Sequence, residues 1–131
     1  MKLVFDSSAI FHILKEGAVE KLSGNYTMEL ARYELGNILW KERVLLKRLN
    51  DGELKKMVLL IGDVLNLMEL LKAEGHEAEI MDIAVDSKLT FYDASYVYGA
   101  KSMQAKLVTE DSRMVEGARS RVTIVRPEGI L

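Results

Sequence analysis

Asp6, Glu34, Asp93 and Asp111 are the residues of this chain whose type and placement point to chemistry. Asp6 directly follows the apolar run Lys2-Leu3-Val4-Phe5. Asp111 follows Ala105-Lys106-Leu107-Val108-Thr109 after one intervening residue. Short apolar runs ending in a polar turn read as buried strands of a parallel sheet, each handing over to a helix. In open α/β sheets the crevice beyond the carboxyl ends of the strands is where ligands bind. Glu34 and Asp93 fall instead on predicted helices, on faces that are otherwise apolar. Four carboxylates meeting in one crevice repel one another unless a cation sits among them. The arrangement asks for a divalent metal.

The elements that must position these acids follow from the hydrophobic pattern. Strands are expected at 2–5, 25–28, 64–68, 106–109 and 122–125. Helices are expected at about 8–15, 17–23, 29–48, 52–63, 70–87, 92–104 and 112–119, with Asn50-Asp51-Gly52 as a stop and restart signal. Strands spaced by helical segments imply parallel crossovers, hence a three-layer α/β/α domain. At 100° per residue, Leu30, Ile38, Leu45 and Leu49 share one arc of the long helix, and Glu34 lies inside it. On helix 92–104, Asp93 shares a face with Tyr96, Val97 and Ala100. An unpaired carboxylate on such a face carries a heavy desolvation cost.

Each acid also has a purely structural explanation. Asp6, Asp93 and Asp111 sit near helix starts, where Asp is a favoured N-cap worth around 1 kcal/mol. Glu34 has no such role, and its bland alternative is a buried ion pair with Arg32, Lys41 or a distant lysine. One shared cause accounts for all four more simply than four separate ones.

Four segments in series then resemble a family. Leu3-Val4-Phe5-Asp6-Ser7-Ser8-Ala9, Ala31-Arg32-Tyr33-Glu34-Leu35-Gly36-Asn37, Leu89-Thr90-Phe91-Tyr92-Asp93-Ala94-Ser95-Tyr96 and Leu107-Val108-Thr109-Glu110-Asp111 are similar to the signature blocks of PIN domains. The nearest resemblance is to VapC-type toxins of VapBC toxin–antitoxin systems, and it covers almost the whole chain. It implies one PIN-like domain over 1–131 with a five-stranded, mainly parallel sheet. It also implies a Mg2+- or Mn2+-dependent endoribonuclease, a homodimer and a small VapB-like antitoxin. Asp6, Glu34, Asp93 and Asp111 become the acidic quartet, catalytic and metal-binding, with Ser7 and Thr109 as supporting hydroxyls. The chemistry suits the residue types, since oxygen-only ligands favour hard cations and there is no cysteine to compete for zinc. One ion, or two about 4 Å apart, can activate water for in-line attack on a phosphodiester.

Composition narrows the field further. The 131 residues are 49% hydrophobic and 29% charged, with a net charge of -2 and a pI near 5.7. That is the profile of a globular protein that does not hold nucleic acid by bulk charge. RNA contact must then come from a local basic patch, for which Lys41, Lys47, Arg48 and Arg113 are candidates, or from metal. No apolar stretch approaches the roughly 20 residues of a membrane span, and Asp6 comes too early for a signal peptide, so the cytoplasm is expected. His12 and His76 are far apart and are expected to pack helices or face solvent. Trp40, Tyr92, Tyr96 and Tyr98 are expected in the core or an interface. Ile10, Phe11, Ile13, Leu14, Leu39 and Trp40 are expected to leave apolar surface for a dimer. An Asp6 nucleophile of the haloacid-dehalogenase kind would need a second Asp where Ser8 stands. The remaining alternative is a catalytically idle PIN-like binding or scaffold module.

Overall fold

The structure is a computed structural model that describes residues 2–131. Five short strands form one parallel sheet in the order β3-β2-β1-β4-β5, with β1 at Leu3–Phe5, β2 at Tyr26–Met28, β3 at Glu69–Leu71, β4 at Lys106–Val108 and β5 at Ile124–Val125. Side chains alternate across a strand, and the two faces of this sheet carry separate cores. Leu3, Phe5 and Val108 pack with α1 (Ser7–Lys15), α2 (Leu30–Trp40) and α3 (Asp51–Leu67) through Ile10, Ile13, Leu35, Leu39 and Val64. Val4, Met28 and Leu107 pack with α4 (Glu77–Ser87), α5 (Phe91–Met103) and α6 (Ser112–Ala118) through Ile80, Ile83, Tyr96, Val97 and Met114. The α/β/α layering expected from the pattern is present.

Helix α5 is the element that lies closest on the sheet. At Gly99 an added Cβ would meet Met28 Sδ at 3.1 Å and Leu71 Cδ1 at 3.2 Å, so a larger residue would have to push these side chains aside where the helix packs against β2 and β3. All of residues 94–100 are buried. The first turn of α5 carries Tyr92 and Asp93, ahead of this buried run.

Two parts of the expected pattern are displaced. Val64–Met68 is not a strand: α3 runs through it to Leu67, and the strand is Glu69–Leu71. Ile61, Val64, Leu65 and Met68 are all buried, a three-and-four spacing that continues a helical stripe. The helix also starts firmly, since Asn50 accepts from Glu53 N at 2.8 Å while the Glu53 carboxylate accepts from Asn50 N at 2.9 Å. With β3 moved on, α4 begins at Glu77 rather than near residue 70, after a turn through Gly75 at φ +84°. The expected helix 17–23 reduces to one 3-10 turn, Val19–Lys21.

The long helix 29–48 is the second correction. α2 ends at Trp40 and gives way to a π-helical turn, Lys41–Leu45. The wider turn breaks the 100° register, so Leu45 is exposed instead of sharing the arc of Leu30 and Ile38. The buried stripe of α2 is Ala31, Leu35 and Leu39. Leu30, Glu34 and Ile38 form its half-exposed flank. Glu34 therefore sits at the border of the core.

Candidate active site

The strand order turns back at β1, with β2 and β3 on one side and β4 and β5 on the other. A ligand crevice forms at such a switch point because neighbouring connections leave in opposite directions. Asp6 leaves β1 there, and Thr109, Glu110 and Asp111 leave β4 beside it, paired through Phe5 and Val108. Asp6 is the one buried acid of the quartet, 4% exposed. Its Oδ1 accepts from Ser8 Oγ at 2.7 Å and from Ala9 N at 2.9 Å, and its Oδ2 accepts from the Thr109 hydroxyl. The same Thr109 oxygen accepts from Asp111 N at 3.0 Å. One buried hydroxyl thus ties the two strand-end acids together. Ser7 lines the groove beside Glu34.

Helices bring the other two acids. Glu34 Oε1 accepts from the Tyr96 hydroxyl at 2.5 Å, a bond between α2 and α5 that crosses 62 positions of sequence. Asp93 stands on the first turn of α5, three residues ahead of Tyr96. Its capping role falls away, because the N-cap is Thr90, whose hydroxyl accepts from Asp93 N at 3.1 Å. Asp6 and Asp111 do cap α1 and α6, so for them the structural role and the cleft position coincide. As for the bland alternative, no ion pair to Glu34 is found among the described residues: Arg32 pairs with Glu29 at 2.9 Å, and Lys41 lines the groove beside Glu34 without bridging to it.

The electrostatics show that all four acids share one region. Burial raises the Asp6 carboxyl to about 6, the hydrogen bonds from Thr109, Ala9 and Ser8 pull against it, and the Asp93 charge adds to the rise. Asp93 is raised as well, first by burial and then by the charges of Asp111 and Glu34, with Arg113 opposing. Tyr96 is pushed up by burial and by Glu34, and it also feels Asp6. No three of the four acids hold oxygens within 4.8 Å of one another. The donor set fits a hard divalent cation. It consists of carboxylates alone, and three bonds occupy Asp6, leaving about one of its four acceptor positions.

A different group is drawn tighter. Among the described residues, His12, Glu110 and Glu128 bring their ligand atoms within 4.8 Å of one another. His12 Nδ1 lies against Glu110, while Nε2 is 4.0 Å from both Glu16 and Glu128. His12 is a half-buried partner of carboxylates, a role its sequence context did not signal.

The basic candidates separate. Lys41 lines a groove of about 340 Å3 with Glu34, and Arg113 lies 3.8 Å from Asp111. Arg48 pairs with Glu42 at 3.7 Å and borders another depression beside Phe11 and Leu14. Lys47 is exposed in a left-handed turn at φ 53° beyond the π-helical segment. The basic run is therefore not one helix face. Tyr96 and Tyr98 are buried as expected, but Tyr92 and Trp40 are 60% and 50% exposed. Ile10, Ile13, Leu14 and Leu39 are buried too, so of the apolar surface expected there Trp40 is exposed, and further apolar surface lies on Val44, Leu45, Leu46, Val58 and Leu59.

Sheet order, strand-end acids and helix-borne acids together define a PIN-type α/β domain. No protein-family model matches the sequence. The ribonuclease VapC3 of Pyrobaculum aerophilum is 32% identical over 136 residues, covering 94% of this chain and 99% of that protein. The exonuclease VapC9 of the same organism is 33% identical over 97 residues, covering 74% of this chain and 69% of the other. The crystal structure of PAE2754, also from Pyrobaculum aerophilum, superposes with a TM-score of 0.80 at 28% identity, over 98% of this chain and 90% of that one. FitAcB from Neisseria gonorrhoeae shares the fold at a TM-score of 0.70 and 19% identity, over 96% and 98% of the two chains. The chain belongs to the VapC family of PIN-domain nucleases.

Proposed function

We propose that this chain is a divalent-metal-dependent endoribonuclease, and that it acts as the toxin of a VapBC-type pair. The observation that carries this reading is a set of four carboxylates at the switch point whose charges raise Asp6 and Asp93, with Lys41 and the exposed Arg113 as the basic residues beside them. Asp6, Asp93, Asp111 and Glu34 would hold Mg2+ or Mn2+, which when bound supplies an activated water and a counter-charge for the phosphodiester. The chain's own residues do the positioning. Ser8, Ala9 N and Thr109 fix the Asp6 carboxylate, and Thr109 carries that order to Asp111. Tyr96 holds Glu34 toward the cleft. Lys41 and Arg113, at the two rims, supply positive charge for the RNA backbone.

The partner and assembly follow as part of the same proposal. VapBC2 from Rickettsia felis, a likeness of fold at 11% identity and a TM-score of 0.64 over 96% of this chain and 98% of the other, was solved bound to DNA from its promoter. A VapB-like antitoxin is accordingly proposed here, in a cytoplasmic setting. No helix among the described residues is long and apolar enough to cross a membrane. The exposed Val44, Leu45, Leu46, Val58 and Leu59 supply an apolar face for a homodimer. The deciding experiment is cleavage of single-stranded and structured RNAs by purified protein with Mn2+ or Mg2+, with and without chelator. Cleavage lost on chelation and in Asp93→Asn is expected. Cleavage indifferent to chelator would overturn the metal assignment.

A further inference from the structure

Two large aromatic rings stand in water beside the acids. Tyr33 is 71% exposed and Tyr92 is 60% exposed. The core stripe of α2 at Ala31, Leu35 and Leu39 turns the intervening Tyr33 outward, and the burial of residues 94–100 leaves Tyr92 outside at the start of α5. Neither ring contributes to the two cores. Both line the same groove of about 340 Å3, together with Ser7, Glu34, Asn37 and Lys41. Each is chain neighbour to an acid, Tyr33 to Glu34 and Tyr92 to Asp93. Tyr92 also borders a second depression of about 310 Å3, apolar through Met28, Leu71 and Phe91.

We infer that Tyr33 and Tyr92 form the platform on which unpaired nucleobases of single-stranded RNA stack while the adjoining phosphodiester lies over the acids. The inference rests on the ribonuclease reading above. Every base offers a π-face, so aromatic rings beside a backbone groove hold single strands with little sequence preference. In the same groove Lys41 meets a flanking phosphate, and the Asn37 amide can read a base edge by donating and accepting. A duplex keeps its bases stacked inside and cannot use the rings.

The test uses the full chain carrying Asp93→Asn, to stop cleavage, and short single-stranded RNAs containing 2-aminopurine, whose fluorescence is quenched by stacking. Tyr33→Ala and Tyr92→Ala in that background should each weaken binding by between about 5- and 150-fold and restore fluorescence. Tyr92→Phe should keep both signals, and Tyr92→Leu should lose both, which separates a ring from mere apolar bulk. Abasic RNA should bind weakly and be indifferent to either alanine. Equal affinity and quenching in parent and alanine variants would overturn the inference, as would Tyr92→Leu matching Tyr92→Phe. Unchanged RNA binding with loss of a copurifying small protein would overturn it in favour of a protein-docking face. Steady-state cleavage in the Asp93 parent separates the two levels. A parent that cleaves no RNA with divalent ion defeats the nuclease reading and this inference together. A parent that cleaves, with alanine variants at unchanged KM, defeats the stacking alone.

Discussion

Two gatherings of carboxylates lie on either side of one peptide bond, and they solve the same electrostatic problem differently. Glu110 turns to His12, with Glu16 and Glu128 close by, so that cluster contains a group able to carry its own positive charge. Asp111 turns to the cleft with Asp6, Asp93 and Glu34, where the cations nearby are the exposed Arg113 beside Asp111 and Lys41 in the groove with Glu34. The first cluster is complete within the chain. The second leaves Asp6 raised by burial and the charge of Asp93, and Asp93 raised by burial and the charges of Asp111 and Glu34, an excess of negative charge that a bound cation would offset.

The largest effect expected from that contrast is on cleavage. Asp93→Asn should abolish divalent-dependent RNA cleavage, because the amide preserves shape while removing the charge that holds an ion. His12→Ala should leave the rate within a few-fold of parent in the same gel assay. Equal losses from both substitutions would erase the distinction between the clusters.

The next effect is on stability against pH, in chelator. Asp6 titrates at about 6 in the folded chain and at 3.8 in the unfolded one, so the folded state binds more protons between those values. Stability should therefore fall as pH rises from about 4 to 6, reaching a deficit of about 3 kcal/mol above that window. Asp6→Asn should flatten this slope in urea titrations. A parent whose stability rises across the same window would show that burial does not govern Asp6.

Metal binding should offset that deficit. At a hundredfold excess over its dissociation constant a divalent ion contributes about 2.7 kcal/mol, which should raise the Tm of a chain this size by on the order of 5 to 10 °C. The shift should persist in His12→Ala and shrink in Asp93→Asn. If His12→Ala removes it instead, the ion binds the wrong cluster.

Smaller changes sharpen the picture. Thr109→Val removes the donor to Asp6 and the acceptor for Asp111 N, so it should move the Asp6 window to higher pH and cost about 1 to 3 kcal/mol as buried partners are left unpaired. Glu128→Gln loosens only an exposed contact to His12 and should change stability by less than about 1 kcal/mol. Thermal melts at pH 7 would rank the two, and the reverse order would mean that the exposed cluster carries more of the fold than the buried hydroxyl.

Local pattern was enough for the acids and for most of the frame. Asp6 and Asp111 are readable because each ends a short apolar run, and β1 and β4 fall where those runs predict. Asp93 was readable from helical spacing, since Tyr96, Val97 and Ala100 are all buried. Glu34 was placed on the right helix by a register one residue off the true core stripe, which is Ala31, Leu35 and Leu39. Sequence spacing finds an apolar arc but not which edge of it meets the sheet. The run Val64–Met68 read as a strand because apolar residues alone do not distinguish a buried helix from a strand.

What sequence determined by itself was the set of charges the fold must bring together, because strand ends and helix faces are local properties of the chain. Only the tertiary structure decided their company. The Thr109 bridge to Asp6 spans 103 positions and the Tyr96 bond to Glu34 spans 62. The π-helical turn after Trp40 divides the basic run between separate surfaces. Tyr33 and Tyr92 become partners in one groove because α2 and α5 pack on opposite faces of a sheet whose order turns back at β1. Neighbours in a groove are chosen by packing over long loops of chain, and no local periodicity records that choice.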